Sequence, residues 1–245
     1  MQHPLTLRLA AALLVVALAA CQPDSSTDST PPESPAAATG GAAAEPGAAT
    51  DEIAHELVPL PGKEGQAPVL TRAVTIVMET TAGPVTVEVY PEAAPNAAQR
   101  FEELVEAGVY DDTPISRVVA GFVAQFGINW REPHNAWQER PFNDDPTIFA
   151  LERGTLAFAK AGPNSNTTQV FINTVENNRL ADPQYNFTVF GKVVDGMEVV
   201  DRFVQVGDPG GGLDQARLWS NGDQYLASLP VQPTMIERAY VLDAD

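Results

Sequence analysis

Ile115-Ser116-Arg117-Val118-Val119-Ala120-Gly121-Phe122-Val123-Ala124-Gln125-Phe126-Gly127 contains two short apolar runs, Ile115 to Val119 and Phe122 to Phe126, parted at Gly121. Side chains of a strand alternate between faces, so Arg117 and Val119 share one face and Ser116 and Val118 the other. An arginine in so apolar a strand needs a reason. It either reaches water or an acid from a sheet edge, or it is held there for chemistry.

On the N-terminal side, Val74, Ile76 and Met78 alternate, Gly83 marks a turn, and Val85, Val87 and Val89 alternate again. That pattern predicts two antiparallel strands. Pro95 sits at a helix start, Phe101, Leu104 and Val105 have helical spacing, and Gly108 falls where a left-handed cap belongs, so one short helix is expected between Pro91 and Gly108. On the C-terminal side, Thr155 to Ala159, Val170 to Asn173, Thr188 to Val194 and Ile236 to Leu242 read as further strands. Val199, Val200, Phe203 and Val204 give a second helical pattern after Asp195-Gly196. Many short strands with two helices predict a mainly β fold, a closed antiparallel barrel capped by two α-helices. Gly207 to Gly212 is rich in glycine but follows a helix and carries Asp208, so it lacks the strand-to-helix setting of a nucleotide-binding turn and reads as a flexible surface loop.

The chemistry available is narrow. Cys21 is the sole cysteine, and of three histidines His3 and His55 fall in the first segments, leaving His134 for the folded part. Thiol catalysis and a clustered His/Cys zinc site are therefore not expected, and His134 sits near no nucleophile-elbow sequence. The acidic pairs Asp111-Asp112 and Asp144-Asp145 read as solvated charge. With 14 Lys+Arg against 32 Asp+Glu the net charge is −18, which disfavours nucleic acid and anionic lipid as partners.

Forty residues downstream of the opening stretch runs Gly154-Thr155-Leu156-Ala157-Phe158-Ala159-Lys160-Ala161-Gly162-Pro163-Asn164-Ser165-Asn166-Thr167-Thr168-Gln169-Val170-Phe171-Ile172-Asn173. Together the two stretches resemble the cyclophilins, whose signatures are of the type F-H-R-V-I-P-G-F-M-x-Q-G-G and G-x-L-S-M-A-x-A-G-P-N-x-N-x-S-Q-F-F-I. Leu180, Asp182 and Phe190-Gly191-Lys192-Val193 continue the register, and Pro91, Pro95 and Phe101 match the family's helix. The resemblance spans about Val74 to Leu242. The segment from Leu213 to Leu226 looks like an extension seen in some members.

The resemblance implies a closed eight-stranded antiparallel barrel with two helices and a substrate that lies outside the packed interior. It implies peptidyl-prolyl cis-trans isomerase activity without metal or cofactor, with unfolded X-Pro-containing proteins as partners. The catalytic arginine falls on Arg117, with Gln125 and Phe122 beside it. The substrate-binding positions fall on Val123, Ala159, Lys160, Ala161, Gln169, Phe171, Leu180 and Phe187. Several residues depart from the pattern: Ser116 stands for a histidine, Ala120 for a proline, Val123 for a methionine, Phe126 for a glycine, and Phe187 lies near the place of a histidine. Arg179 replaces a frequent aromatic residue, so weak cyclosporin inhibition is expected. The rival reading is a binding or chaperone module that holds Pro-containing segments with little turnover.

At the start of the chain, Arg8 precedes an apolar run from Leu9 to Ala20, too short for a confident membrane span, and Leu18-Ala19-Ala20-Cys21 resembles the bacterial lipobox. We expect residues 1–20 to be a signal peptide, Cys21 to carry lipid, and 21–71 to be a disordered spacer of Ala, Pro, Gly, Ser and Thr, leaving 72–245 as the folded domain. Ile53 and Leu57 give the end of the spacer a means of docking. These features imply a monomeric protein in the bacterial envelope, lipid-anchored and facing the periplasm, with Gln22 mildly favouring the outer membrane.

Overall fold

The computed structural model describes residues 57–242. The expected signal peptide, Cys21 and most of the expected spacer lie outside the described residues. Strand β1 (Val74–Thr80) returns as β2 (Gly83–Val89), paired from Val74 with Val89 to Thr80 with Gly83, as the alternation predicts. Helix α1 (Pro95–Glu106) follows, then β3 (Thr113–Pro114), β4 (Arg117–Val119) and β5 (Val123–Phe126). After a long excursion come β6 (Thr155–Phe158), β7 (Val170–Asn173) and β8 (Val189–Asp195). The chain ends in α2 (Met197–Val200), α3 (Gln215–Ala227) and β9 (Met235–Val241).

All nine strands join one antiparallel sheet in the order β3-β9-β1-β2-β8-β6-β7-β5-β4. The sheet curls into an open half-barrel, not the closed eight-stranded barrel expected. Closure fails because β3 and β4 are its two edges and no ladder joins them. They follow one another in sequence, so two residues of covalent chain, Ile115 and Ser116, span the seam in place of hydrogen bonds. The helix count also differs: α2 is a single turn, and α3 is a third helix where the sequence suggested only an extension.

Period-two alternation gives the sheet two apolar faces. Inward from β5 to β8 point Ala124, Phe126, Leu156, Phe158, Val170, Ile172 and Phe190, which pack with Phe101, Leu104 and Val105 of α1. Outward point Val123, Ala157, Phe171 and Val189, joined by Leu180, Phe149, Leu151 and Leu57. Residues 57–71, assigned to the spacer by composition, thus belong in part to the packed structure: Leu57 is buried, and Pro59 forms a bridge to Phe149. Helix α1 has no capping side chain at Ala94, and Asp145 from a distant loop substitutes for it, accepting from the Asn96 and Ala97 amides at 3.2 and 2.9 Å.

Candidate active site

Three neighbouring strands carry the site. β4 and β5 place Arg117 opposite Gln125, and β5 and β7 place Gln125 opposite Phe171 and Val123 opposite Asn173. Directly opposed side chains lie on one face, so the strand register alone puts Arg117, Gln125, Phe171 and Val123 together on the outer face. Phe122 enters from the β4–β5 turn, closed by its amide donating to the Val119 carbonyl at 3.0 Å.

Leu180 comes from a 3-10 turn, Asn178 to Ala181, fixed by a buried amide chain. Asn173 donates to the Thr155 hydroxyl at 3.0 Å, and Asn177 donates to the Asn173 side-chain oxygen at 2.8 Å and to the Phe122 carbonyl at 2.9 Å. Loop and β-turn are thereby tied to one strand. Leu180, Val123 and Phe171 are nearly inaccessible, Phe122 and Phe187 half-buried, and Phe187 meets Phe171 edge-on with ring centres 5.4 Å apart. The result is an apolar cluster open at its rim, where the Phe122 and Phe187 rings are half-buried.

Polar groups border it on one side. The half-buried Arg117 guanidinium donates through Nε to the Gly210 carbonyl at 2.8 Å and through Nη1 to Gln125 Oε1 at 3.4 Å, and it lies 5.7 Å from the centre of the Phe122 ring. Gln125 Nε2 donates to Gln169 Oε1 at 2.8 Å, and Gln169 Nε2 to Gln215 Oε1 at 3.3 Å. Burial draws the Arg117 pKa below its ordinary value, yet a guanidinium keeps its charge. Of its five N–H bonds two are taken, leaving three directed from a fixed frame.

The remaining sequence-selected positions follow from Gln169, whose carbonyl accepts from the Ala159 amide at 2.8 Å. Ala159 packs on the outer cluster and Ala161 is exposed. Lys160 is engaged elsewhere: its ammonium is buried, 2.8 Å from Asp144 Oδ2 and from the Asn186 carbonyl, and 5.6 Å from the Phe187 ring centre. Its side chain shapes the rim without offering a free charge. Arg179, beside Leu180, is exposed.

Sequence reading missed the groups that hold Arg117 from behind. Gly207 to Gly212 is built, not flexible: Asp208 Oδ1 accepts from the Gly210 and Gly211 amides at 2.9 and 2.7 Å, and the Leu213 amide donates to the Ser116 carbonyl at 2.8 Å. Gly212 has φ +76°, and a Cβ there would strike the Ser116 carbonyl and Arg117 itself. The signal was a glycine cluster with an aspartate two to three residues ahead of free amides, an Asx turn. His134 is half-buried in a 3-10 turn away from these groups, and among the described residues no three His, Cys, Asp or Glu side chains form a metal-holding group. No helix among them is long and apolar enough to cross a membrane.

Residues 75–220 match the family model described as cyclophilin type peptidyl-prolyl cis-trans isomerase/CLD. The chain is 36% identical over 144 residues to a peptidyl-prolyl cis-trans isomerase of Acinetobacter baylyi, covering 56% of this chain and 76% of that one. It is 32% identical over 149 residues to peptidyl-prolyl cis-trans isomerase B of Escherichia coli, covering 57% of this chain and 90% of the relative. In fold it is similar to a solved cyclophilin type peptidyl-prolyl cis-trans isomerase of Cryptosporidium parvum, with a TM-score of 0.53 at 20% identity over 71% of this chain and 100% of that one.

Proposed function

We propose, from the premise that this chain belongs to the cyclophilin-type peptidyl-prolyl cis-trans isomerases and is an isomerase, that Arg117 and the apolar cluster beside it catalyse X-Pro exchange in exported proteins of a bacterial envelope. The observation that carries the site assignment is the guanidinium fixed by Gly210 and Gln125 at the edge of an apolar cluster whose rim rings are only half-buried.

Amide resonance opposes rotation with a barrier of about 18–20 kcal/mol. In the twisted state the prolyl nitrogen turns pyramidal and its lone pair leaves the amide. A donor aimed at that nitrogen stabilises the twisted state more than either planar one, which is the condition for catalysis. Val123, Phe171, Leu180 and Phe122 grip the pyrrolidine ring, Arg117 meets the nitrogen, and Gln125 holds the chain on the carbonyl side. Ala159, Ala161 and Gln169 border the remaining peptide, and Lys160 and Phe187 set the shape of the rim. No bond is made or broken. The reaction needs only a rigid frame on one side of the amide and freedom on the other.

Placement in the envelope rests on the signal-like run ending in Leu18-Ala19-Ala20-Cys21, with a lipid on Cys21 holding the monomeric domain on a spacer at the periplasmic face, and with the outer membrane favoured by Gln22. Folding chains crossing that space are the substrates this location supplies. Exchange of an X-Pro test peptide, followed by NMR with wild-type protein and Arg117→Ala, tests the site: catalysed exchange must collapse in the variant. Fractionation of cells expressing Cys21→Ser tests the location, and protein that stays with the membrane refutes the anchor.

A further inference from the structure

We infer that the segment from Gly207 to Ala227 is a positioning element for the catalytic guanidinium, acting through Gln215 as the terminal acceptor of the chain Arg117–Gln125–Gln169–Gln215. The inference rests on Arg117 being the catalytic group.

The segment is a structural unit in its own right. Val206, Leu213, Leu218, Tyr225 and Leu226 form a third apolar cluster with Ile128, backed by Trp130 and Trp219. Helix α3 begins with the Asp214 carboxylate accepting from the Arg217 amide at 3.0 Å, and it breaks at Asn221, where Gly222 lies so close to Trp130 that any side chain would overlap the indole. Arg131 ties the same indole to α3, lying 4.3 Å from the ring centre and 2.7 Å from Asp223. So much packing gives the first turn of α3, where Gln215 stands, a fixed place beside β7.

The polarity of the chain gives Gln215 its effect. Each amide accepts through its oxygen and donates through its nitrogen, all in one direction, starting from a donor, Arg117, that cannot accept. Turning any one amide over would oppose donor to donor or acceptor to acceptor on both sides. The outermost oxygen, on Gln215, gives Gln169 Nε2 a partner, which keeps Gln169 Oε1 toward Gln125 and Gln125 Oε1 toward the guanidinium. Without it, Gln169 gains freedom to turn, and the Gln125 oxygen loses its assigned direction. The outer links, 3.4 and 3.3 Å, are the long ones, and such contacts tighten when substrate is bound.

The test compares kcat and KM for X-Pro exchange by the full chain and its variants. Gln215→Leu removes the acceptor, and one neutral hydrogen bond of this kind gives about a three- to tenfold fall, borne by kcat rather than KM. Gln215→Glu keeps an acceptor oxygen and restores kcat to within about twofold. In a Gln125→Leu background, where the chain is already cut, Gln215→Leu changes nothing further. Arg117→Ala in the same assay separates the two levels. If it leaves exchange intact, the reading of Arg117 fails and the positioning role with it. If it abolishes exchange while Gln215→Leu matches wild type, or while the Leu and Glu variants fall equally, or while the Leu effect persists without Gln125, the positioning role alone is overturned. Unchanged melting temperatures show that the variants are folded when the comparison is made.

Discussion

The inner and outer faces of strands β5 to β7 are both apolar, yet only one of them is finished. Inside, Phe126, Phe158 and Phe190 meet Phe101 and Tyr110 of the α1 region at ring separations of 5.1 to 6.5 Å, and all five rings are buried. Outside, Val123 and Phe171 sit as deep, but Phe122 and Phe187 stop halfway and polar side chains take over. The inner face is a core, and the outer face is a core left open at its rim, where the proposed reading seats the proline ring. The same alternation that builds the sheet thus produces the face on which the proposed site lies.

Two substitutions of opposite kind sharpen that contrast. Phe101→Ala should remove about 4 kcal/mol of stability, as truncation of a fully enclosed phenylalanine does, with urea unfolding as the measurement. The part that remains folded should exchange X-Pro peptides within about threefold of wild type, because no inner-face ring reaches the outer cluster. Arg117→Ala should do the reverse. Loss of a preorganised donor costs about 3 kcal/mol of transition-state stabilisation, on the order of a hundredfold in kcat/KM, with urea stability lowered by less than about 1 kcal/mol. Equal effects on both properties in either variant would mean that the faces are not separable.

A third substitution acts on the outer face from behind. Gly212→Ala forces a left-handed residue to carry a Cβ against Arg117 and Ser116, a strain of about 2 kcal/mol before the contact is counted. The loop must shift and take the Gly210 carbonyl from Arg117 Nε. We expect about a tenfold fall in kcat/KM together with a lower melting temperature, whereas Gly211→Ala, whose nearest contacts are to the Asp208 side chain, should be milder in both.

The loop also marks where the sequence stopped being legible. Strand-by-strand alternation located every long strand, and Arg117, Gln125 and Phe171 could be seen to share a face once their strands were paired, since register is a local property. Closure was not legible, because whether the two edge strands bond across the seam depends on the curl of the whole sheet. Gly207 to Gly212 read as flexible because glycine raises chain entropy, and the partners that repay it, Ser116 and Arg117, lie some ninety residues away. Leu57 shows the converse: composition marks its segment as a linker, yet one buried leucine, named in the sequence as a means of docking, is enough to hold it on the domain. Lys160 stands in a motif that the resemblance places along the peptide, but its neutralisation by Asp144 depends on a contact sixteen residues upstream that no periodicity encodes.

Asp144 and Asp145 extend the comparison to adjacent residues, one serving each face. Asp144 holds Lys160 at the outer rim, and Asp145 caps α1 over the inner core. Burial works against the Asp144 carboxylate, but hydrogen bonds from Lys160, Asn164 and Asn166 outweigh it and hold its pKa below the ordinary value. For Asp145 burial prevails over the bonds from Ala97 and Asn96, and its pKa is raised. The signs are opposite. A carboxylate depressed on folding lends stability above its unfolded value of about 3.9, lost as pH falls through the lower folded value. A raised one lends stability below about 3.9, lost as pH rises through the higher folded value. Melting curves between pH 6 and pH 3 should therefore diverge: Asp144→Asn loses less on acidification than wild type, and Asp145→Asn loses more. The remaining acids are common to all three proteins and cancel in the comparison, so the sign of each difference is the readout. Parallel curves for the three proteins would show that neither carboxylate changes its environment on folding, and the division of labour between the two faces would then stop short of this pair.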